Sequence, residues 1–105
     1  MTNSRLLLEQ KWGEFRKIPF PPQLGELKSE LVLLDSHVAG LVSTYLSGGK
    51  VNPSLVAFDQ ELDGLLESFR PRDERENAIR EEYKRYKAAL DELIELLAEC
   101  LGKEQ

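Results

Sequence analysis

Apolar residues recur along this chain in alternating steps of three and four. Leu24, Leu27, Leu31, Leu34, Val38, Leu41 and Tyr45 form one unbroken series. Leu55, Phe58, Leu62, Leu65 and Phe69 form a second, and Ile79, Tyr83, Tyr86, Leu90, Leu93, Leu97 and Cys100 a third. Side chains three and four residues apart share one face of an α-helix, and alternating the two steps is the rhythm of left-handed, near-parallel packing. Leu8, Trp12 and Phe15 add a shorter helix ahead of the three. The pattern predicts an all-α fold: an antiparallel bundle of three long helices plus a short N-terminal helix, a four-helix bundle in one domain over residues 1–105.

Punctuation between the series sets the expected boundaries at 4–17, 23–47, 53–69 and 73–101. Pro21-Pro22 precedes the second helix and Gly48-Gly49 follows it, the usual preference of proline for starts and glycine for ends. Asn52-Pro53 reads as a cap and first position of the third helix. Pro71 stops that helix, and Asp73 with Glu76 three residues later has the spacing of a capping box. Val32, Leu33, Ala39, Val42 and Leu46 widen the apolar stripe of helix two, which predicts a central helix touching the other three.

The helix lengths do not match. Residues 73–101 would run about 43 Å and residues 53–69 about 25 Å at 1.5 Å per residue, so roughly a dozen residues of helix four should project beyond the Gly48-Gly49 end. Leu93, Ile94, Leu96, Leu97, Cys100 and Leu101 lie on that segment, backed by Asp91, Glu92, Glu95 and Glu99. Left wet, each large side chain would forgo about 1.5 to 3 kcal/mol, and contiguous apolar surface marks a binding face. The candidate covers are a protein partner, a second copy forming a homodimer, or the Gly48 to Asn52 loop folding over with Val51; the first two are the expected ones, with the acidic backing selecting basic rim residues. The expected function is that of a non-enzymatic protein-interaction module of the regulatory, adaptor, immunity or antitoxin-like kind.

Composition narrows the alternatives. The 105 residues are 41% hydrophobic and 31% charged, with a net charge of −5, so the whole molecule repels nucleic acid and anionic lipid. The Leu6-Leu7-Leu8 run is too short for a signal sequence or membrane span, which points to the cytoplasm. Cys100 is the one cysteine and falls on an apolar face, as a buried spectator thiol. Acidic stripes at Glu26 and Glu30, at Asp59, Asp63 and Glu67, and at Asp91, Glu95 and Glu99 read as solvated surface.

Five short patterns touch on chemistry. Leu46-Ser47-Gly48-Gly49-Lys50 resembles the start of the signature loop of ABC transporter ATPases, and its Gly-Gly-Lys resembles part of a P-loop. Val51 stands where a P-loop needs Ser or Thr, no strand precedes it, and the segment reads as a bend between helices. His37, near Glu30 and Asp35, lacks the Glu-x-x-His pairs of a di-iron bundle, and Cys100 lies on another helix in an apolar setting. Glu26 and Glu30 resemble the magnesium carboxylates of all-helical nucleotide pyrophosphohydrolases, but at a spacing of four and without the second acidic pair. That leaves a magnesium-dependent hydrolase as a remote alternative. No catalytic residue, metal ligand, cofactor or small-molecule substrate is assigned.

Arg70, Arg72 and Arg75 cluster where helix four begins, and Arg16 and Lys17 end helix one. An antiparallel bundle would bring both groups to one end, where a helix N-terminus favours an anion or a nucleic-acid phosphate. This is the second functional alternative. Finally, the linker Arg16 to Pro22, RKIPFPP, fits the basic-x-x-Pro-x-x-Pro pattern of polyproline ligands, with stiffening of the turn as its simpler role and Phe20 plugging the bundle end.

Overall fold

The computed structural model describes residues 4–52 and 62–103. Within them the chain forms four helices: α1 (Ser4–Phe15), α2 (Leu27–Leu46), α3 (Leu62–Ser68) and α4 (Glu74–Lys103). Helix–helix contacts join them into a bundle, and α4 touches all three of the others. At 30 residues α4 is about 45 Å long, which accounts for the 48 Å longest dimension. The expected start of the third helix, with Pro53, Leu55, Phe58 and Asp59, lies outside the described residues.

Polar contacts between helices fix their direction and register. Ser4 Oγ lies 3.4 Å from Glu99 Oε1, Lys11 Nζ is 3.2 Å from Glu92 Oε1, and the Phe15 ring meets Tyr86 edge-on at 4.9 Å. Thus α1 runs antiparallel to α4 along its C-terminal half. On α3, Asp63 pairs with Lys87 at 2.8 Å, and the Phe69 carbonyl beyond its end accepts from Arg80 Nη1 at 3.3 Å. These two contacts make α3 and α4 an antiparallel hairpin. Asp35 of α2 meets Tyr86, while the Leu46 carbonyl accepts from Arg5 beside the Ser4–Glu99 contact. Directions therefore alternate along the chain, and α2 lies parallel to α4.

That register moves the overhang of α4 to its other end. Phe69 sits opposite Arg80 rather than opposite Asp73, because the Arg70–Asp73 connection is spent before α4 doubles back. The unpaired first turn is polar: Glu74, Arg75 and Asn77 are exposed. The apolar C-terminal half lies inside, under α1.

Each terminus has a local cause. The turn after α1 tightens through Lys17 N–H to the Glu14 carbonyl and Ile18 N–H to the Phe15 carbonyl, so the helix stops at Phe15 and not at residue 17. Gly25, at φ +55°, turns the chain ahead of α2, which begins four residues later than the proline pair implied. Leu24 is buried nonetheless. At the far end Gly48 takes φ +89° and donates to the Tyr45 carbonyl, while Gly49 donates to the Thr44 carbonyl. These are the two bonds of a Schellman cap, so Leu46–Lys50 is a helix terminator. A Cβ on Gly49 would stand 2.8 Å from Thr44 Cγ2, so the second glycine is required as well.

The core runs the length of α4. Leu8 and Phe15 from α1, Leu27, Leu31, Leu34, Val38 and Val42 from α2, and Leu62 and Leu66 from α3 close on Tyr83, Leu90, Leu93 and Leu97. Three polar contacts cross it at mid-height. Tyr83 donates to the Pro22 carbonyl at 2.6 Å, Tyr86 donates to Asp35 Oδ1 at 2.9 Å, and the buried Lys87 bridges Asp63 and Asp91.

Candidate protein-binding surface

The six residues expected to bind a partner are used within the chain. Leu93, Leu96, Leu97, Cys100 and Leu101 are buried, Leu97 at 1% exposure, and Ile94 is partly buried against the same core. Their face is not wet, which corrects the expectation drawn from helix length. Helix lengths alone set α3 and α4 flush at their shared turn and do not say which part of α4 lies under α1. Once α1 lies on the C-terminal half of α4, its stripe of Leu8, Trp12 and Phe15 covers what a partner was expected to cover.

The basic residues do not gather at one end. By the pairings of Lys11 with Glu92 and Phe15 with Tyr86, Arg16 and Lys17 stand near residue 87 of α4. The first turn of α4 is some thirteen residues away, about 20 Å along the axis. Arg72 is engaged by its neighbour: Glu76 accepts from the Arg72 backbone N–H at 2.8 Å and from the guanidinium at 3.1 and 3.3 Å. These hydrogen bonds hold the Glu76 carboxyl below its usual range and raise the Arg72 guanidinium. Asp73 caps the helix, accepting from Glu76 N–H at 2.9 Å. The chain's own carboxylates thus serve the amino end of α4, and Arg70 and Arg75 stand exposed beside them.

Other candidates are placed as follows. Glu26 is exposed at the start of α2, Glu30 and His37 are half-buried, and Asp35 is bonded to Tyr86. No group of three or more His, Cys, Asp or Glu residues that could hold a metal ion occurs among the described residues. Burial, then the Asp35 hydrogen bond and charge, push the Tyr86 hydroxyl well above the usual tyrosine range. For Lys87 burial works toward the neutral amine, but the carboxylates of Asp63 and Asp91 outweigh it and the net shift is upward. The 16–22 linker crosses α4 at mid-height: Arg16, Pro19 and Pro22 are exposed, Pro21 is buried, and Phe20 packs edge-on to Tyr86 at 5.2 Å. Phe20 therefore flanks the side of the bundle and does not plug its end.

The surface that stands out is the outer face of α2. Ser29, Val32, Leu33, Ser36, Gly40, Ser43, Thr44 and Ser47 are all exposed, on the side opposite Leu27, Leu31, Leu34 and Val38. Not one of these eight is charged, in a chain with 31% charged residues. Leu33 is 61% and Val32 42% exposed, and both line a shallow depression with Gln23, Lys28 and Ser29. Central interface positions are distinguished by this loss of charge more than by apolarity alone.

The sequence contained this signal and the apolar count hid it. Counting apolar residues alone assigns Val32 and Leu33 to the buried stripe, although helical geometry at 100° per residue sets Leu33 far from Leu31 and Leu34. Read with Ser29, Ser36, Gly40 and Ser43, the same positions define a neutral outer face. No protein-family model, curated protein or solved structure matches this chain.

Proposed function

We propose that this protein is a non-enzymatic helical module that works by binding protein through the outer face of α2, with Leu33 and Val32 as anchors. The observation that carries the reading is the uncharged, exposed face from Ser29 to Ser47 bearing two large aliphatic side chains. Burying Leu33 and Val32 in a complex is worth roughly 1 to 3 kcal/mol each, while the surrounding serines cost little to desolvate where a partner offers hydrogen bonds. Lys28 and Gln23 supply a polar edge on one side of the depression. The proposal includes a cytoplasmic setting, in which the buried Cys100 thiol stays reduced.

A photo-reactive phenylalanine analogue at position 33, installed in cells that make the protein, tests this. Its control is the same residue at position 82, where an exposed glutamate lies among charges on α4. Discrete cross-linked adducts from position 33 and none from position 82 are expected. Equal yields from both, or none from position 33, would end the reading.

A further inference from the structure

We infer that the occupant of the α2 face is a second copy of this chain, packed antiparallel about a two-fold axis between Ser36 and Gly40. The inference rests on the binding role proposed for that face and identifies its partner. A two-fold interface must be self-complementary, with residue i meeting residue j and j meeting i. The outer face of α2 is divided in that sense. Its first half carries the bulky Val32 and Leu33, and its second half exposes the smaller Gly40, Ser43, Thr44 and Ser47.

Antiparallel pairing about that axis sets Leu33 opposite Ser43, Val32 opposite Thr44 and Ser29 opposite Ser47. Each Leu33 then enters the gap beside the partner's Gly40. That gap is open, since a Cβ built on Gly40 meets nothing within 4 Å, and no packing within the bundle requires glycine there. A parallel arrangement would stack the bulky ends together and leave the small ends apart. Small residues let helix axes approach to the lower part of the usual 8–10 Å range.

Charge disfavours self-pairing along α4 and leaves the α2 face open to it. Each copy carries a net −5, and the exposed side of α4 presents Glu81, Glu82, Glu92, Glu95 and Glu99, so two copies repel along that side. The α2 face from Ser29 to Ser47 is neutral, so two copies meet there without placing carboxylate against carboxylate. One helix face falls short of the roughly 800 Å² per partner of stable complexes, so the pair is reversible and concentration-dependent.

Light scattering after size exclusion, over a concentration series of the full chain, tests the inference. The expected result is a mass rising from 12.0 kDa toward twice that value. Leu33→Asp, which puts charge on the seam, and Gly40→Leu, which fills the gap, should each hold the protein monomeric with its helical circular dichroism unchanged. Gly40→Leu is the stronger control, because leucine favours helix and the site is open. A wild-type monomer at about 500 μM, well into the range where weak interfaces populate, would overturn the inference. So would a dimer that survives both substitutions. Position-33 adducts to a different protein, with a monomeric wild type, would leave the binding role standing and remove only the self-pairing.

Discussion

At the scale of single residues, two carboxylates close the amino end of α4: Asp73 accepts from the Glu76 N–H and Glu76 from the Arg72 N–H. Asp73 and Glu76 were legible from spacing, since Asp73 does cap the Glu76 N–H. That Glu76 reaches back one residue further, to the Arg72 N–H, was not, because a side chain chooses between two amides by geometry. The lowered Glu76 carboxyl favours the folded state above the ordinary glutamate range, and that contribution disappears as pH falls through the folded value. The melting-temperature gap between wild type and Glu76→Gln should therefore be present at neutral pH and close as pH falls below the ordinary glutamate range. Tyr86 has the opposite sense: its hydroxyl is raised, so its contribution holds below about pH 10 and fades above it as the unfolded chain ionises first. Tyr86→Phe leaves Asp35 without that donor and should cost about 1 to 2 kcal/mol in chemical denaturation at neutral pH. At the glycines, Gly48→Ala forces φ +89° on a Cβ and should destabilise by about 1 to 2 kcal/mol. Gly13→Ala, in open helical space, should stabilise by up to about 1 kcal/mol.

At the scale of helices, the three-four rhythm identified the core face of α2 and α4 almost residue for residue, because a heptad-like seam has one solution as a packed helix. Offset was a different matter. Periodicity says which face is buried and not how far one helix slides along another. Here the slide decided whether Leu97 met a partner or met the rest of the chain. Its burial at 1% makes a definite prediction: Leu97→Ala should cost about 2 to 5 kcal/mol, and Leu97→Asp should unfold the protein instead of merely dissociating it. Leu8 carries the complementary test from α1, where it is fully buried. Leu8→Ala should lower the melting temperature and raise binding of a hydrophobic dye, as α1 loosens and the Leu93–Leu101 face opens. Were α1 a passive appendage, neither reading would move.

At the scale of the whole molecule, composition anticipated the net charge of −5 but not its layout, which is charged along the exposed sides of α4 and neutral along α2. In the pairing proposed above, two such molecules repel over distance and attract only in contact. Added salt should therefore tighten self-association by screening the long-range term, with the apparent dissociation constant falling between about 20 and 300 mM ionic strength as the Debye length shrinks below 10 Å. A salt bridge-driven pair would show the reverse. The contact between Ser4 and Glu99 has a consequence in time as well as in space. During synthesis α1 emerges well before the surface it covers: Phe15 precedes Tyr86 by 71 residues and Ser4 precedes Glu99 by 95. At about 5 to 20 residues per second, the nascent α1 spends roughly 4 to 20 s with Leu8, Trp12 and Phe15 uncovered. A chain built this way cannot complete its core until the C-terminal half of α4 has been made, so α1 waits on the element it packs against.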